Sequence, residues 1–346
     1  MTEKLFFIIS GEHPTLPEAE LRAILEAEKC QYQIVKSVPK LLLIEAPRSC
    51  IETVSSRSSM CTMSGTHILE CHDDRGSIQR AIKDADLSDI FGSGDSFSVR
   101  VTKAGRTRSA KNSEALEAFV GKLVRQVVSD VSVDLVRAKK PLLGVLYNGK
   151  FLLGLEEYRR EAGTFASRRP RRRPVFHPST MQPKLARCMV NLARPSRGDL
   201  ILDPFCGVGG LLIEASLIGC RCLGSDIGLR KVRDSTTNMK YFGLDPLGMV
   251  LADARSLPFR EVKAIATDPP YGTAASTHGA STRELFREFL EAAYEAVAPG
   301  GCMCMGAPRK LEVGALGRDT GWTPLERHEI YVHRSLTREI AVFRRG

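Results

Sequence analysis

The chain has 346 residues, of which 43% are apolar and 26% are charged, and both proportions are ordinary for soluble globular proteins. Its length suggests about two domains, and its net charge of +10 suggests a polyanionic partner. We expect a cytoplasmic protein, because there is no long apolar run and no signal peptide pattern at the start. The ten cysteines lack a Cys-x-x-Cys spacing, which argues against a disulfide framework or a metal site.

The first 155 residues predict a mixed α+β region. Leu21, Ile24 and Leu25 recur at helical spacing and predict a helix over residues 17–28. A similar apolar stripe predicts a second helix over residues 113–128, and Asn148-Gly149 is a strong hairpin signal. Strands are predicted at residues 5–9, 40–45, 60–71, 97–101, 142–146 and 151–155.

Arginine and proline dominate the end of the next segment, residues 156–178, where the periodic pattern stops. Pro170 and Pro174 exclude a continuous helix, so the sequence predicts a basic linker. Composition leaves two interpretations equally open: a solvated linker, or a segment whose arginine forks bind phosphate oxygens. The excess positive charge is central, because residues 98–178 carry 18 basic and 7 acidic side chains.

From residue 179 onward, predicted helices and strands alternate, which indicates a mostly parallel sheet with helices on both faces. The helices are predicted at residues 183–192, 209–217, 229–241 and 282–297. The strands are predicted at residues 200–202, 222–225, 249–251, 264–267, 302–305, 330–333 and 339–343.

A glycine-rich turn follows the first of these strands. Gly207, Gly209 and Gly210 lie between Asp203 and a predicted helix, and such a turn lets a ligand approach the backbone. Asp226 lies 19 residues after Gly207, close to the roughly 20 expected of an acid that accepts from ribose hydroxyls. Ile213 stands where the dinucleotide pattern has its third glycine, which argues against a dehydrogenase. The spacing therefore predicts an adenosine-type cofactor.

A second motif, Asp268-Pro269-Pro270-Tyr271-Gly272, follows the strand predicted at residues 264–267. The prolines donate no N–H, so the Asp268 carboxylate and the prolyl carbonyls offer hydrogen-bond acceptors beside an aromatic ring. Acceptors beside a stacking ring suit an exocyclic amine on a planar base, whose lone pair must be freed from the ring before it attacks. The alternative is a plain turn that ends a strand, but the glycine turn upstream favours a functional site.

Two further segments are weaker candidates. Asp253-Ala254 follows the strand predicted at residues 249–251, where an acid could accept from an adenine amine. An exposed loop aspartate is the simpler alternative. Residues 176–181 precede a helix and could contact the carboxylate end of a cofactor, although His177 alone is more often structural.

Together these motifs resemble class I S-adenosylmethionine-dependent methyltransferases that act on exocyclic amines. The resemblance covers residues 176–343, and residues 176–181 and 333–338 resemble the tRNA (guanine-10) methyltransferases of archaea and their eukaryotic catalytic relatives. Residues 1–175 resemble that family's ferredoxin-like segment and its THUMP RNA-binding domain. The resemblance implies a Rossmann-like α/β domain with a mostly parallel seven-stranded sheet. The expected bounds are 1–155 for the N-terminal region, 156–178 for the linker and 179–346 for the methyltransferase domain.

The resemblance implies methylation of the exocyclic amine of guanosine 10 in tRNA, with either one or two methyl groups added. The expected catalytic residues are Asp268, Pro269, Pro270 and Tyr271. The residues expected to bind S-adenosylmethionine are Phe176, His177, Thr180, Asp203, Phe205, Gly207, Gly209, Asp226, Ile227, Asp253, Ala254 and Asp268. The residues expected to bind RNA are Arg100, Lys103, Arg106, Arg108, Lys122, Lys139, Lys140, Arg168, Arg169, Arg171, Arg172 and Arg173.

Two alternatives stay open at this point. One is an amino-methyltransferase that acts on a ribosomal RNA guanine or a DNA adenine, and the THUMP-like half weighs against DNA. The other is a non-catalytic RNA-binding protein with a degenerate methyltransferase domain, which rests on Val208, where the family turn usually carries threonine. Some relatives work with a small zinc-binding activator subunit, and the sequence leaves open whether this chain requires one.

Overall fold

A computed structural model gives the structure of the protein and describes residues 2–105, 112–178, 180–270, 282–333 and 336–346. The strands are β1 Glu3–Ile9, β2 Gln33–Val38, β3 Leu41–Ala46, β4 Cys61–His72, β5 Ser96–Lys103, β6 Ser132–Val133, β7 Lys140–Tyr147, β8 Lys150–Arg159, β9 Leu200–Asp203, β10 Arg221–Asp226, β11 Gly248–Leu251, β12 Val262–Thr267, β13 Val297–Pro308, β14 Thr323–His333 and β15 Leu336–Arg344.

The helices are α1 Leu16–Ala27, α2 Cys50–Arg57, α3 Arg75–Asp84, α4 Ser113–Val127, α5 Pro183–Leu192, α6 Gly210–Leu217, α7 Leu229–Tyr241, α8 Thr282–Ala296 and α9 Val313–Asp319. Short 3-10 turns lie at Ala166–Arg168, Pro170–Arg172 and Arg309–Leu311. Every helix and strand that the sequence predicts is present, α5 and α7 with the predicted bounds and the others with shifted bounds. The sequence did not predict the elements β2, β6, α2, α3 and α9.

These elements form two compact units. The first contains Met1–Pro14, Cys30–Ser55 and Cys61–Glu161, and the second contains Thr15–Lys29, Ser56–Met60 and Ala162–Gly346. The second unit therefore includes α1 and a short segment before β4, both from the first 60 residues of the chain. The sequence-derived bounds at residues 155 and 178 stay a prediction.

The first unit is built on one eight-stranded sheet with the order β2-β3-β1-β4-β8-β7-β5-β6. Strands β7 and β8 form the predicted hairpin, in which Tyr147 pairs with Lys150. The turn residues Asn148 and Gly149 have φ angles of +47° and +77°, as a two-residue turn that follows the strand twist requires. Strand β5 pairs in parallel with both β7 and β6. Residues of β5 and α4 line a groove in this unit.

The second unit is built on a seven-stranded sheet with the order β11-β10-β9-β12-β13-β15-β14. The strands run parallel except β15, which pairs in antiparallel fashion with β13 and β14. Alternate residues of each strand enter separate cores, because successive side chains point to opposite faces. Ile201 packs in one core and Leu202 in the other, with α5 and α6 covering the first face and α8 and α9 the second. This arrangement confirms the predicted Rossmann-like α/β fold.

A buried carboxylate joins helix α1 to the rest of the second unit. Glu20 is fully buried, and its carboxylate accepts hydrogen bonds from Ser58 Oγ at 2.6 Å and from Ser59 N at 2.8 Å. Met60 N at 2.8 Å and Asn191 Nδ2 at 2.9 Å also donate to it. A buried charge is tolerated because several donors replace its water shell. Glu20 therefore links α1 and residues 58–60 to α5.

Among the described residues, no helix combines the length and apolar character needed to cross a bilayer.

Glu20→Gln should lower the free energy of unfolding by about 2 kcal/mol, because the amide nitrogen would face buried donors instead of accepting from them. Urea denaturation followed by circular dichroism measures this change. The matched control is Glu18→Gln, since Glu18 forms a partly exposed ion pair with Arg22 on the same helix, and its substitution should cost less than about 0.5 kcal/mol. Equal effects of the two substitutions would contradict the assigned role of Glu20.

Candidate active site

The candidate site lies where four neighbouring parallel strands end. Strands β9, β10, β11 and β12 run in the same direction, so their carboxyl ends meet at one edge of the sheet. Their last residues are Asp203, Asp226, Leu251 and Thr267. In the sheet, Asp226 is paired with Leu251, and Asp203 is paired with Gly224. The two predicted acids of the glycine-turn motif are therefore on adjacent strands.

The glycine turn between β9 and α6 is held by backbone geometry and close packing. Gly207 and Gly209 have φ angles of +52° and +80°, in the region that favours glycine. A Cβ atom on Gly209 would stand 2.6 Å from Ser235 Oγ, whereas one on Gly207 would meet nothing closer than 3.9 Å. Gly207 thus leaves open space above the turn, and this space is what the approach of a ligand requires.

Asn238 on α7 fixes this turn from below and was not predicted from the sequence. It is fully buried, and its Nδ2 donates to Val208 O and to Val175 O, each at 2.9 Å. Its Oδ1 accepts from Val175 N at 2.9 Å. The Val208 side chain is itself buried. A valine in place of the family's usual threonine therefore changes the packing beneath the turn and leaves the open face of the turn unaltered.

Asp226 has the geometry of a ribose acceptor. Its Oδ2 accepts from Gly207 N at 3.0 Å and its Oδ1 from Gly228 N at 2.9 Å, which orients the carboxylate and leaves each oxygen a free lone pair. Exposed apolar side chains surround it: Ile227 is 53% exposed and Leu251 is 55% exposed. A planar, partly apolar base would cover such side chains. The residues at this edge therefore fit an adenosine-containing cofactor, and Leu251 joins the residues predicted from sequence.

Asp203 plays a structural and electrostatic part at the same edge. It is buried, and its Oδ1 accepts from Thr267 Oγ1 at 2.7 Å and from Phe205 N at 3.2 Å, which ties the end of β9 to the end of β12. Burial, assisted by the nearby charges of Asp226 and Asp268 and opposed by the two hydrogen bonds, raises the pKa of Asp203 to about 7. The three acids are therefore close enough to influence one another.

Two residues predicted to bind the cofactor pack into a core instead. The ring of Phe205 meets the ring of Phe289 edge-on, with 5.1 Å between centroids. Ala254 is 4% exposed and lies in the same core as Leu202. Their side chains support the edge of the sheet from inside, and the predicted cofactor contacts of both residues stay predictions.

Asp268 directly follows β12 and is half-buried. Its Oδ2 lies 3.4 Å from Nη2 of Arg338, a β15 residue that the sequence analysis did not select. The only sequence signal for Arg338 was its place in the stretch 333–338 that resembles the family. Pro269 is buried and Pro270 is exposed. Tyr271, the fourth predicted catalytic residue, lies outside the described residues.

Asp253 is engaged by a neighbour. Its two oxygens accept from Arg255 Nε at 3.0 Å and from Arg255 Nη2 at 2.6 Å, and Arg255 N donates at 2.9 Å. A carboxylate has about four acceptor positions, so the predicted contact to an adenine amine stays a prediction. Phe176 is 44% exposed and His177 is exposed, while the Thr180 methyl lies close to the start of α6.

The predicted RNA-binding residues of the first unit cluster around β5 and α4. A groove of about 620 Å³ is lined by Arg100, Lys122 and Arg125, together with the acids Glu114 and Glu117. Arg100 pairs with Glu117 at 3.4 Å, and Lys139 pairs with Asp95 at 3.5 Å. Arg106 and Arg108 lie outside the described residues, Lys103 is exposed and Lys140 is half-buried. Arg125 is a cation that the sequence analysis did not select.

The arginine run of residues 168–173 is divided by the structure. Arg169, Arg171 and Arg172 are exposed, as an RNA contact requires. Arg168 instead pairs with the fully buried Glu214 at 2.7 Å, and Arg173 is only 5% exposed. Arg173 is therefore too buried for the expected phosphate contact, whereas Arg168 is half-buried and its expected contact stays a prediction.

No cluster of three or more histidine, cysteine, aspartate or glutamate side chains that could hold a metal is found among the described residues.

Comparison with known proteins places this site in context. The family described as RMKL-like, methyltransferase domain, matches residues 170–340. The tRNA (guanine(10)-N2)-dimethyltransferase of Methanothermobacter thermautotrophicus is 38% identical over 344 residues, covering 99% of each chain. The protein of the same name from Pyrococcus abyssi is 29% identical and covers 96% of this chain and 98% of its own.

Solved structures resemble the fold of the whole chain. TrmN from Thermus thermophilus has a TM-score of 0.56 and 21% identity, covering 99% of this chain and all of that one. SMU.472, determined in complex with SAH, has a TM-score of 0.55 and 13% identity, covering 100% and 98%. At these identities the likeness shows the fold alone.

Asp203→Asn should gain stability relative to the wild type as the pH rises from 5 to 8. The folded protein holds the Asp203 proton up to about pH 7, whereas the unfolded chain releases it near pH 4. The wild type therefore loses stability across this window, and an asparagine, which keeps both hydrogen bonds to Oδ1, does not. We expect a relative gain of about 2 kcal/mol in urea denaturation.

Asp319→Asn is the control, because Asp319 is exposed at the end of α9. The assignment fails if the Asp203→Asn difference is the same at pH 5 and pH 8.

Proposed function

Because this chain belongs to the tRNA (guanine(10)-N2)-dimethyltransferase family, we propose that it methylates the exocyclic amine of guanosine 10 in tRNA with S-adenosylmethionine. One observation carries the proposal: an Asp268-Pro269 acceptor pair follows β12 at the sheet edge that also holds Asp226 and the glycine turn. An amine acceptor and a cofactor acceptor thus share one edge, in a chain that matches its 38% identical relative from end to end.

The cofactor, when bound, supplies an electrophilic methyl group. The chain's own residues bind and orient it: Asp226 accepts from the ribose hydroxyls, and Gly207 leaves space for the close approach. Ile227 and Leu251 cover the faces of the adenine. Asp253, which Arg255 orients, accepts from the adenine amine.

The target guanine is held by the segment after β12. Asp268 and the Pro269 carbonyl accept the two hydrogens of the amine, which turns the nitrogen lone pair out of conjugation with the ring. Bound S-adenosylmethionine would supply the methyl group to this nitrogen, and Asp268 would take the proton that the nitrogen loses. Arg338, 3.4 Å away, keeps the Asp268 carboxylate oriented. The guanine must leave the base stack to reach this position. Catalysis then comes mainly from positioning and electrostatics.

The tRNA is bound mainly by the central basic segment. Exposed cations of the first unit, Arg100, Lys103, Lys122 and Lys139, and the exposed linker arginines contact phosphates and give a steep salt dependence. The first unit then measures the distance from another tRNA feature to the target base.

All ten cysteines are free thiols, which supports a reducing compartment, and we place the reaction in the cytoplasm.

The test of this function is incubation of the purified chain with labelled S-adenosylmethionine and an unmodified tRNA transcript, followed by nucleoside mapping. We expect N2-methylguanosine first and N2,N2-dimethylguanosine later, both at position 10, as the relatives' name describes for those proteins. Label in ribosomal RNA but not in tRNA would show that ribosomal RNA is the substrate. Absence of cofactor binding would show that the methyltransferase domain is degenerate. Activity that appears only on addition of a zinc-binding subunit would establish the need for an activator.

Asp268→Ala should lower kcat by at least about 100-fold, because the amine loses a principal acceptor at the moment its lone pair attacks. Binding of S-adenosylhomocysteine, measured by calorimetry, should change by less than about threefold, since the ribose and adenine contacts remain. Asp319→Ala serves as the control, because Asp319 is exposed on α9. Wild-type turnover by the Asp268 variant would rule out the assigned mechanism.

Replacing Arg169, Arg171 and Arg172 together by glutamine should weaken tRNA binding and flatten its salt dependence. The slope of log K against log[salt] should fall in magnitude by about 1 for each phosphate contact removed. Filter binding at several salt concentrations measures the slope. The charge-matched control replaces three other exposed arginines of α8 and α9 by glutamine: Arg283, Arg287 and Arg318. An unchanged slope would remove these arginines from the RNA-binding surface.

A further inference from the structure

The strands that follow β12 in the sheet continue past its end. Thr267, the last residue of β12, pairs with Met305, and β13 continues to Pro308, about 10 Å further along. Pro308 still pairs with β15, and β15 pairs with β14 over the same stretch. Three strands therefore rise beside the segment that begins at Asp268. We call this extension the strand wall, and it consists of residues 306–308, 330–332 and 337–338.

The strand wall exposes an aromatic ring near the proposed amine acceptor. Tyr331 is 71% exposed and Val332 is 43% exposed, although both belong to a strand. Tyr331 pairs with Thr337, the residue before Arg338. Arg338 Nη2 lies 3.4 Å from Asp268 Oδ2, so the strand wall contacts the acceptor directly. In the sheet order, β14 is the third strand from β12, which places it about 14 Å away.

Exposed cations flank this ring. Arg309 and Lys310 directly follow β13 and are both exposed, and the buried Leu311 anchors the 3-10 turn that carries them. Arg309 Nε lies 3.2 Å from Glu329 Oε1, two residues before Tyr331 on β14. Side chains two residues apart on a strand point to the same face, so Arg309 and Tyr331 share one face of the strand wall. An aromatic ring and positive charge therefore lie side by side at the rim of the site.

We propose that the strand wall binds the RNA nucleotide next to the target guanosine, with its base stacked on Tyr331 and its phosphate beside Lys310. This inference rests on the proposed function, because it takes the guanine amine to lie at Asp268. A guanine that leaves the stack uncovers the faces of the neighbouring bases, and an aromatic ring can cover one of them. Stacking on the ring suits any base, while the cation attracts the phosphate.

A protein partner fits this surface less well. Among the described residues of the strand wall, only Tyr331 and Val332 are exposed large apolar side chains, whereas a stable protein interface buries about 800 Å² on each side. Two such side chains cover a small part of that area. Positive charge beside a single ring instead matches a polynucleotide, in which charged phosphates alternate with planar bases.

The experiment measures tRNA and cofactor binding separately on the full chain. Tyr331→Ala should weaken binding of an unmodified tRNA transcript at least about fivefold, the lower end of what one base–aromatic stack contributes. Tyr331→Phe should stay within about twofold of wild type, because stacking needs the ring and not the hydroxyl. Both variants should bind S-adenosylhomocysteine with wild-type affinity in calorimetry, since the ribose acceptor Asp226 is unchanged.

Tyr241→Ala is the matched control. Tyr241 is 60% exposed at the end of α7, and α7 contacts β10 and β11 at the opposite end of the sheet order. The control removes the same ring from the same unit and should leave tRNA affinity within about twofold of wild type. A loss equal to that of Tyr331→Ala would contradict a specific stack on the strand wall.

Salt dependence separates the cation from the ring. Lys310→Gln should lower the magnitude of the slope of log K against log[salt] by about 1, whereas Tyr331→Ala should leave the slope unchanged, because a stack releases no counterions. Arg318→Gln, at an exposed position on α9, should also leave the slope unchanged. Circular dichroism checks folding, and Lys310→Gln tests the surface independently of the Tyr331 variants.

Several results would overturn the inference. Wild-type tRNA affinity of Tyr331→Ala would remove the ring from the RNA surface and leave the proposed function intact. Equal losses in the alanine and phenylalanine variants would assign the contact to the hydroxyl, and weaker S-adenosylhomocysteine binding by Tyr331→Ala would make the ring structural. Unchanged tRNA binding with an altered oligomeric state in size-exclusion chromatography would assign the surface to a second copy of the chain. A wild-type chain that binds tRNA but methylates no guanosine would overturn the proposed function, and this inference with it.

Discussion

The parallel pairing of β9 with β10 and β12, and of β10 with β11, is the constraint on which the site depends. Each of these strands enters the sheet from the same side, so the residues that follow them are delivered to one edge. Asp203, Asp226 and Asp268 are more than 20 residues apart in sequence at their closest, and only the sheet makes them neighbours. The hydrogen bond from Thr267 to Asp203 then ties the two strand ends together at the point where the proposed chemistry takes place.

The charge around the glycine turn is arranged on two sides. The three acids lie at the strand ends, whereas Arg168, Arg173 and Arg187 surround the buried Glu214 near the start of α6. S-adenosylmethionine carries positive charge on its sulfonium, so the proposed function places that part of the cofactor on the side of the acids.

The arginine run shows how one composition serves two purposes. Residues 168–173 carry five arginines in six positions, and a count of charge treats them alike. Asn238 anchors the chain directly after the run by its hydrogen bonds to Val175. Along the two 3-10 turns, Arg173 is buried and Arg168 is half-buried, whereas the other three arginines are exposed. The exposed arginines remain available to a polyanion, and the other two neutralise Glu214 and face the glycine turn.

The sequence by itself determined what short-range rules control. Strand and helix periodicity, the Asn148-Gly149 turn, the glycine turn and the spacing to Asp226 depend on neighbours along the chain, so they could be predicted from it. Tertiary structure alone decided which distant groups meet: Glu20 with Asn191, Asn238 with Val175 and Val208, Arg338 with Asp268, and Arg173 with the start of α6. It also decided that α1 belongs to the second unit and that Ala254 and Phe205 face a core. Burial and long-range hydrogen bonding depend on packing that no local pattern encodes. The sequence pattern therefore could not distinguish the buried Arg173 from the exposed arginines beside it.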